Sequence, residues 1–232
     1  VTRTPAEYLL FGETTPAETK TRTPLTTQAH KKGSVAFSKA QKLDEALYNQ
    51  GKVTEIPATE ILNNIINHYS SFSTEGNFFV EQAQSLLAKT NTNVVLIPKA
   101  TMTDISGSPH TFMAYNSKYN RIYLSLEVLN TQTLEESVIA ILHEVVHSVT
   151  VQAYKQPSTI EEEMFRDFIQ AEYQRYTQYY KEDNPGKINR PYGLVSAEEF
   201  MAEIIANPDF RNQMDKLKDN NPTKKAFIVK LV

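Results

Sequence analysis

The 232-residue chain contains no cysteine. That excludes disulfides, thiolate metal ligands and cysteine nucleophiles, so any metal site must draw on imidazole and carboxylate donors. An apolar run long enough to cross a bilayer is also missing, and the sequence carries no secretory-signal pattern. There is no basic stripe: the formal net charge is −3, from 24 Lys and Arg against 27 Asp and Glu with the signs interspersed, which argues against a nucleic-acid surface. What remains, 40% hydrophobic and 22% charged residues, is the composition of a soluble globular chain that can bury one substantial core. The first residue is Val1 rather than Met, the start expected of a processed product or an expressed fragment.

Local composition divides the chain. Thr recurs at 2, 4, 14, 15, 19, 21, 23, 26 and 27 with Pro5, Pro16 and Pro24 among them, so residues 1–34 are expected to form an extended arm or linker. Residues 35–232 are expected to be a single domain. Its first part, 35–92, reads as helical: Ser38–Asn49 ending at Gly51, then a face of Ile61, Leu62, Ile65, Ile66 and Tyr69, then Phe78–Lys89. Strands are expected at about 94–97, 111–115 and 121–126, the last two forming a hairpin around the polar turn Asn116–Asn120. The expected fold class is therefore α+β, mainly helical with a small antiparallel sheet. Further on, Ser158 and Glu161 have the spacing of a capping box opening a helix over about 158–181. Its Phe165, Phe168, Tyr173, Tyr176, Tyr179 and Tyr180 are expected to face the core of a lower helical region, 153–232.

The chemistry concentrates in His143-Glu144-Val145-Val146-His147. Thr133 and Glu136 form a second capping-box pattern, and Leu134, Val138, Ile141, Leu142, Val145, Val146 and Val149 recur at helical spacing, predicting a helix over about 134–152. Residues four apart on a helix share a face, so His143 and His147 can aim at one metal ion with Glu144 beside them. A catalytic zinc takes three protein ligands and acidifies a water, whose proton an adjacent carboxylate can accept. The plainer alternative is two ordinary histidines on a buried helix. A third ligand is available in Ser196–Glu203, a second helix start in which Glu199 and Glu203 lie four apart. Glu198, Glu199 and Glu203 are all candidates, and Glu199 also has the spacing to complete a capping box with Ser196. His30 and His68 have no ligand spacing around them.

HEVVH followed by a helix with Glu-x-x-x-Glu resembles the gluzincin class of zinc metallopeptidases. More narrowly, Glu198-Glu199-Phe200-Met201-Ala202-Glu203 with Asn207-Pro208-Asp209-Phe210 resembles the metallopeptidase domains of large polyvalent proteins of phages and mobile elements, over about residues 93–215. The resemblance implies a zincin-like fold with the sheet over the active-site helix, zinc held by His143, His147 and Glu199, and Glu203 supporting one histidine from outside. It implies that Glu144 is the general base, that the substrate is a polypeptide received at the hairpin edge near Ile122, and that the protein is a zinc endopeptidase. An oxyanion donor is also needed, for which Tyr192 is the first candidate and His110 and Arg190 the next. Companion virion or host proteins are the implied partners, with no nucleic acid or membrane, and the virion or host cytoplasm is the implied location. The alternative is a catalytically idle zincin-fold domain with a virion structural or host-interaction role; an anti-restriction role fits the charge balance poorly.

Overall fold

The computed structural model describes residues 5–12, 54–71, 75–106, 111 and 113–217. The helix expected over Ser38–Asn49, and His30 and His110, lie outside the described residues. In chain order the elements are α1 (Pro5–Phe11), β1 (Glu55–Pro57), α2 (Ala58–His68), α3 (Gly76–Leu87), β2 (Asn93–Leu96), α4 (Lys99–Ser106), β3 (Met113–Asn116), β4 (Arg121–Leu124), α5 (Leu126–Leu129), α6 (Leu134–Lys155), α7 (Ile160–Asp183), α8 (Ala197–Ala206) and α9 (Pro208–Asp215). The fold is α+β and mainly helical, with one four-stranded sheet in the order β1-β2-β4-β3.

The sheet is mixed rather than antiparallel throughout. β3 and β4 form the expected antiparallel hairpin, but β2 runs parallel to β4, with Val94 opposite Ile122. After β2 the chain crosses through α4 and returns as β3 on the outer edge, so the hairpin turn brings β4 back in β2's direction. β4 is consequently an inner strand buried on both faces. Ile122 and Leu124 face the main helical core with Val94, whereas Tyr123 joins Val95, Ile97 and Met102 in a second cluster, as the two-residue period of a strand dictates. Ile122 is therefore enclosed, and the sheet edge on this side is β3, correcting the position expected for a substrate edge. β1 had no signal of its own: three residues ending at Pro57 are too short to show alternation.

α6 runs beneath the sheet. Its start is fixed by the full capping box, with Thr133 Oγ1 accepting from Glu136 N at 3.2 Å and Glu136 Oε2 accepting from Thr133 N at 2.8 Å. Val138, Ile141, Leu142, Val145 and Val146 are fully buried, so burial stabilises a helix whose β-branched residues are mediocre helix formers. α8 packs directly across α6. α7 begins one residue later than the spacing predicts: Thr159 caps Glu162, while Ser158 donates to Glu162 Oε2 from both its N–H and its hydroxyl. Tyr176 and Tyr180 face a core with Phe200 and Phe210 as expected. Phe168 does not: it is 44% exposed, because its helical position lies about 100° from buried Ile169 and on the outer side.

The N-terminal segment differs most from its composition. Where an extended arm is expected, Pro5–Phe11 is a helix, and Leu9, Leu10 and Phe11 are buried against the same core as α2 and α6. Asn64 Nδ2 ties it down by donating to Leu9 O at 3.0 Å. Thr and Pro dominate the segment as a whole, but three consecutive apolar residues suffice to dock one short helix. Replacing Leu10, which is 0% exposed, by Ala should destabilise the protein by about 2–5 kcal/mol in urea unfolding; a change below about 0.5 kcal/mol would show that α1 is not part of the core.

Candidate metal centre

Each member of the candidate set is positioned by a separate local device. His143 and His147 occupy one face of α6 and are both buried. Their Nε2 atoms lie 3.0 Å apart, and Glu199 Oε2 approaches them at 3.0 and 3.3 Å respectively. Glu199 comes from the first turn of α8, whose N-cap Ser196 accepts from Glu199 N at 3.3 Å. Only this half of the capping box forms. The Glu199 carboxylate turns to the histidines instead of returning to the Ser196 N–H, so it is not used as the second half of the cap. Glu203, one turn further along α8, places Oε1 3.0 Å from His143 Nδ1. His147 Nδ1 is buried with no hydrogen-bond partner among the described residues.

Three further groups close around this cluster. Glu144 Oε2 accepts from the backbone N–H of Tyr115 at 2.7 Å, a link between α6 and the edge strand β3 that no side-chain pattern could reveal. The ring centroid of Tyr192 lies 5.9 Å from that of His143, and the charge of Glu199 acts on its hydroxyl. Tyr192 is 60% exposed. Gly193 makes this placement possible, since a Cβ there would lie 2.5 Å from Phe210 Cζ and 2.8 Å from Glu203 Cβ. Glu198 points elsewhere and pairs with Lys155 at 3.7 Å. Arg190 is exposed on the preceding loop and is not brought to the cluster.

Two cavities, of about 460 and 540 Å³, meet over Thr111, Met113, Glu144 and Tyr192. One extends past His147 towards Lys155 and Glu198; the other extends past His143 towards Ile139 and Asp209. The cluster thus lies on the floor of a continuous cleft rather than in a sealed core.

The charges are strongly coupled. Burial alone would lower the His143 pKa, but hydrogen bonds to Glu199 and Glu203, with the charge of Glu144, outweigh it and raise the value from 6.5 to about 10. Desolvation opposes ionisation of Glu199, yet its bonds to both histidines hold it well below the usual carboxylate range. Glu144 moves the other way: desolvation raises its pKa, and the two histidines and the Tyr115 N–H only partly offset this. Burial of the Tyr192 hydroxyl, reinforced by Glu199, raises its pKa well above 10. A carboxyl with a raised pKa beside one held ionised is an arrangement suited to proton transfer.

His143, His147 and Glu199 can hold a metal ion, each offering one ligand atom with all three within 4.8 Å of one another. The fit is close. A tetrahedral ion with bonds of about 2.0–2.1 Å holds its ligand atoms roughly 3.3 Å apart, against separations of 3.0, 3.0 and 3.3 Å here. Two buried imidazole nitrogens facing each other at 3.0 Å have no rationale in packing alone. Comparisons of the chain with protein-family models, curated proteins and solved structures found no match.

A pH dependence follows for the metal-free protein. His143 has a folded-state pKa of about 10 against an ordinary 6.5, so its contribution to stability is complete below about 6.5 and is lost as pH rises towards 10. Thermal unfolding in the presence of a chelator should show the melting temperature falling across that interval. A profile flat from pH 7 to 10 would contradict the protonated cluster.

Proposed function

We propose that the chain is a zinc-dependent endopeptidase in which His143, His147 and Glu199 hold the metal and Glu144 is the general base. The observation that carries this reading is the convergence of two imidazole nitrogens and one carboxylate oxygen at metal-ligand spacing on the floor of an open cleft, with a further carboxylate one residue along the helix. Zinc is favoured by the donor set, two His and one Glu without cysteine, which matches catalytic rather than structural sites. Bound there, zinc supplies Lewis acidity, which acidifies a water and polarises a carbonyl. We further read the arrangement as zincin-like: a hairpin precedes the helix bearing both histidines, and a later helix brings the third ligand. The order of motifs supports a phage or mobile-element origin.

The residues then divide the work. Glu144 accepts the proton of the attacking water and returns it to the leaving amine, a role favoured by its raised pKa. The Tyr115 N–H fixes one of its oxygens, and Glu144 lines both cavities. Tyr192, fully protonated at neutral pH, donates its O–H to the oxyanion of the tetrahedral intermediate. Glu203 accepts from His143 Nδ1, which leaves the Nε2 lone pair for the metal. A polypeptide suits the cleft because β3, along its upper rim, is a sheet edge to which an extended substrate can add as a strand.

The test is cleavage of a denatured polypeptide by zinc-loaded protein. Glu144→Gln should keep its zinc and lose activity by roughly 10²–10⁴-fold, and Tyr192→Phe should lose about 10²–10³-fold in kcat. Wild-type protein that binds zinc yet cleaves nothing across a broad peptide library would reject the enzyme in favour of an idle binding domain.

A further inference from the structure

Beyond the ligands and their immediate partners, one side chain joins the metal cluster to a helix terminus. Asn207 ends α8 and begins α9. Its Oδ1 accepts from Asp209 N at 3.0 Å and Phe210 N at 3.2 Å, which caps α9, and its Nδ2 donates to Glu203 Oε2 at 2.7 Å. The opposite oxygen of that carboxylate, Oε1, is the one 3.0 Å from His143 Nδ1. A continuous chain therefore runs from the first amides of α9 through the Asn207 amide and the Glu203 carboxylate to His143.

The direction of each bond follows from the first. Two backbone N–H groups can be satisfied only by an oxygen, so the Asn207 amide cannot flip without setting its NH₂ against them and its oxygen against Glu203. Its NH₂ must then point at Glu203, which accepts at Oε2 and presents Oε1 to the ring of His143. A carboxylate in that position keeps the His143 proton on Nδ1 and directs Nε2 towards His147 and Glu199. The anchor itself is rigid. Pro208 fixes the first helical residue of α9, Phe210 is buried beside Phe200 with ring centroids 6.2 Å apart, and Asn207 N donates to Glu203 O at 2.9 Å. No such chain supports His147, whose Nδ1 has no partner among the described residues.

We propose that Asn207 is a positioning residue of the metal centre: by capping α9 and holding the Glu203 carboxylate at once, it sets the ring orientation and the metal-binding nitrogen of His143. This rests on the reading of His143, His147 and Glu199 as metal ligands. It goes further by assigning the centre's geometry to a residue outside the three ligands and their direct hydrogen-bond partners. An amide suits both tasks because its acceptor and donor sit on separate atoms, Oδ1 on the cap and Nδ2 on Glu203. Ser would serve as the cap but has no group that reaches Glu203.

The experiment compares wild type, Asn207→Ser, Glu203→Ala and the double variant, with zinc affinity measured by competition against a chromophoric chelator and stability by urea unfolding of the metal-free proteins. Asn207→Ser should keep its cap and unfold as a cooperative domain, yet bind zinc roughly 10–100-fold more weakly, the usual effect of losing an outer partner of a metal ligand. The double variant should bind no more weakly than Glu203→Ala alone, because both substitutions break the same chain. Wild-type affinity in Asn207→Ser, or losses that multiply in the double variant, would overturn the proposal. The metal-free unfolding midpoints should show coupling between positions 203 and 207 independently of zinc; its absence would show that the hydrogen bond does not operate. Wild-type protein that takes up no zinc while this coupling persists would defeat the metal-centre reading itself and reduce Asn207 to an ordinary structural link.

Discussion

The structure turns on one electrostatic constraint: two imidazoles and a carboxylate are held within hydrogen-bond distance of one another at the bottom of a cleft. Such a grouping is not tolerated by default in a protein interior, where each polar group must be matched and like charges repel. Here a proton shared among His143, Glu199 and Glu203 satisfies it without metal, and a cation in the same place would satisfy it better. The crossing of α6 and α8 makes the grouping possible. Apolar residues of both helices, among them Leu142, Val146, Met201 and Ala202, belong to one buried cluster, so the alignment of His143 and His147 with Glu199 is a consequence of core packing rather than of surface loops.

The two histidines are not equivalent. His143 is held at both ring nitrogens, by Glu199 and by the Glu203–Asn207 chain, whereas His147 is held at Nε2 and is otherwise surrounded by packing. Beside them Glu144 reaches the edge strand through the Tyr115 N–H, so the sheet, α6 and α8 each contribute to one cleft. Gly193 lets the Tyr192 loop lie directly on α8. Without that close approach the Tyr192 ring could not lie 5.9 Å from that of His143.

Legibility in the sequence followed the length scale of each signal. Where local chemistry sets the geometry, reading it was enough: the Thr133–Glu136 box, the helical spacing of HEVVH, the hairpin around Asn116–Asn120 and the Ser196 cap all lie where their residues place them. Glu199 was a divided case, since its spacing fits both a cap and a ligand. Only the packing of α8 on α6 turns the carboxylate towards the histidines and away from the Ser196 N–H. Other features depend on distant partners and left little trace. β1 is three residues long and pairs with β2 across α2 and α3; α1 is three apolar residues hidden in a Thr- and Pro-rich stretch; the parallel pairing of β2 with β4 arises from a crossover. The Tyr115 contact is made by a backbone N–H, which no residue type encodes. Asn207 could have been found. An Asn immediately before Pro at a helix boundary, four residues after a candidate outer-sphere glutamate, carries both halves of its role in its spacing.

The central claim concerns a metal centre built from these three side chains, and X-ray absorption at the zinc edge addresses it most directly. Protein dialysed against zinc and freed of excess should hold one ion per chain, with about four nitrogen and oxygen neighbours at roughly 2.0–2.1 Å and the multiple-scattering signature of two imidazoles. Substoichiometric zinc after equilibration, or a bound ion whose neighbours include no imidazole, would contradict the account.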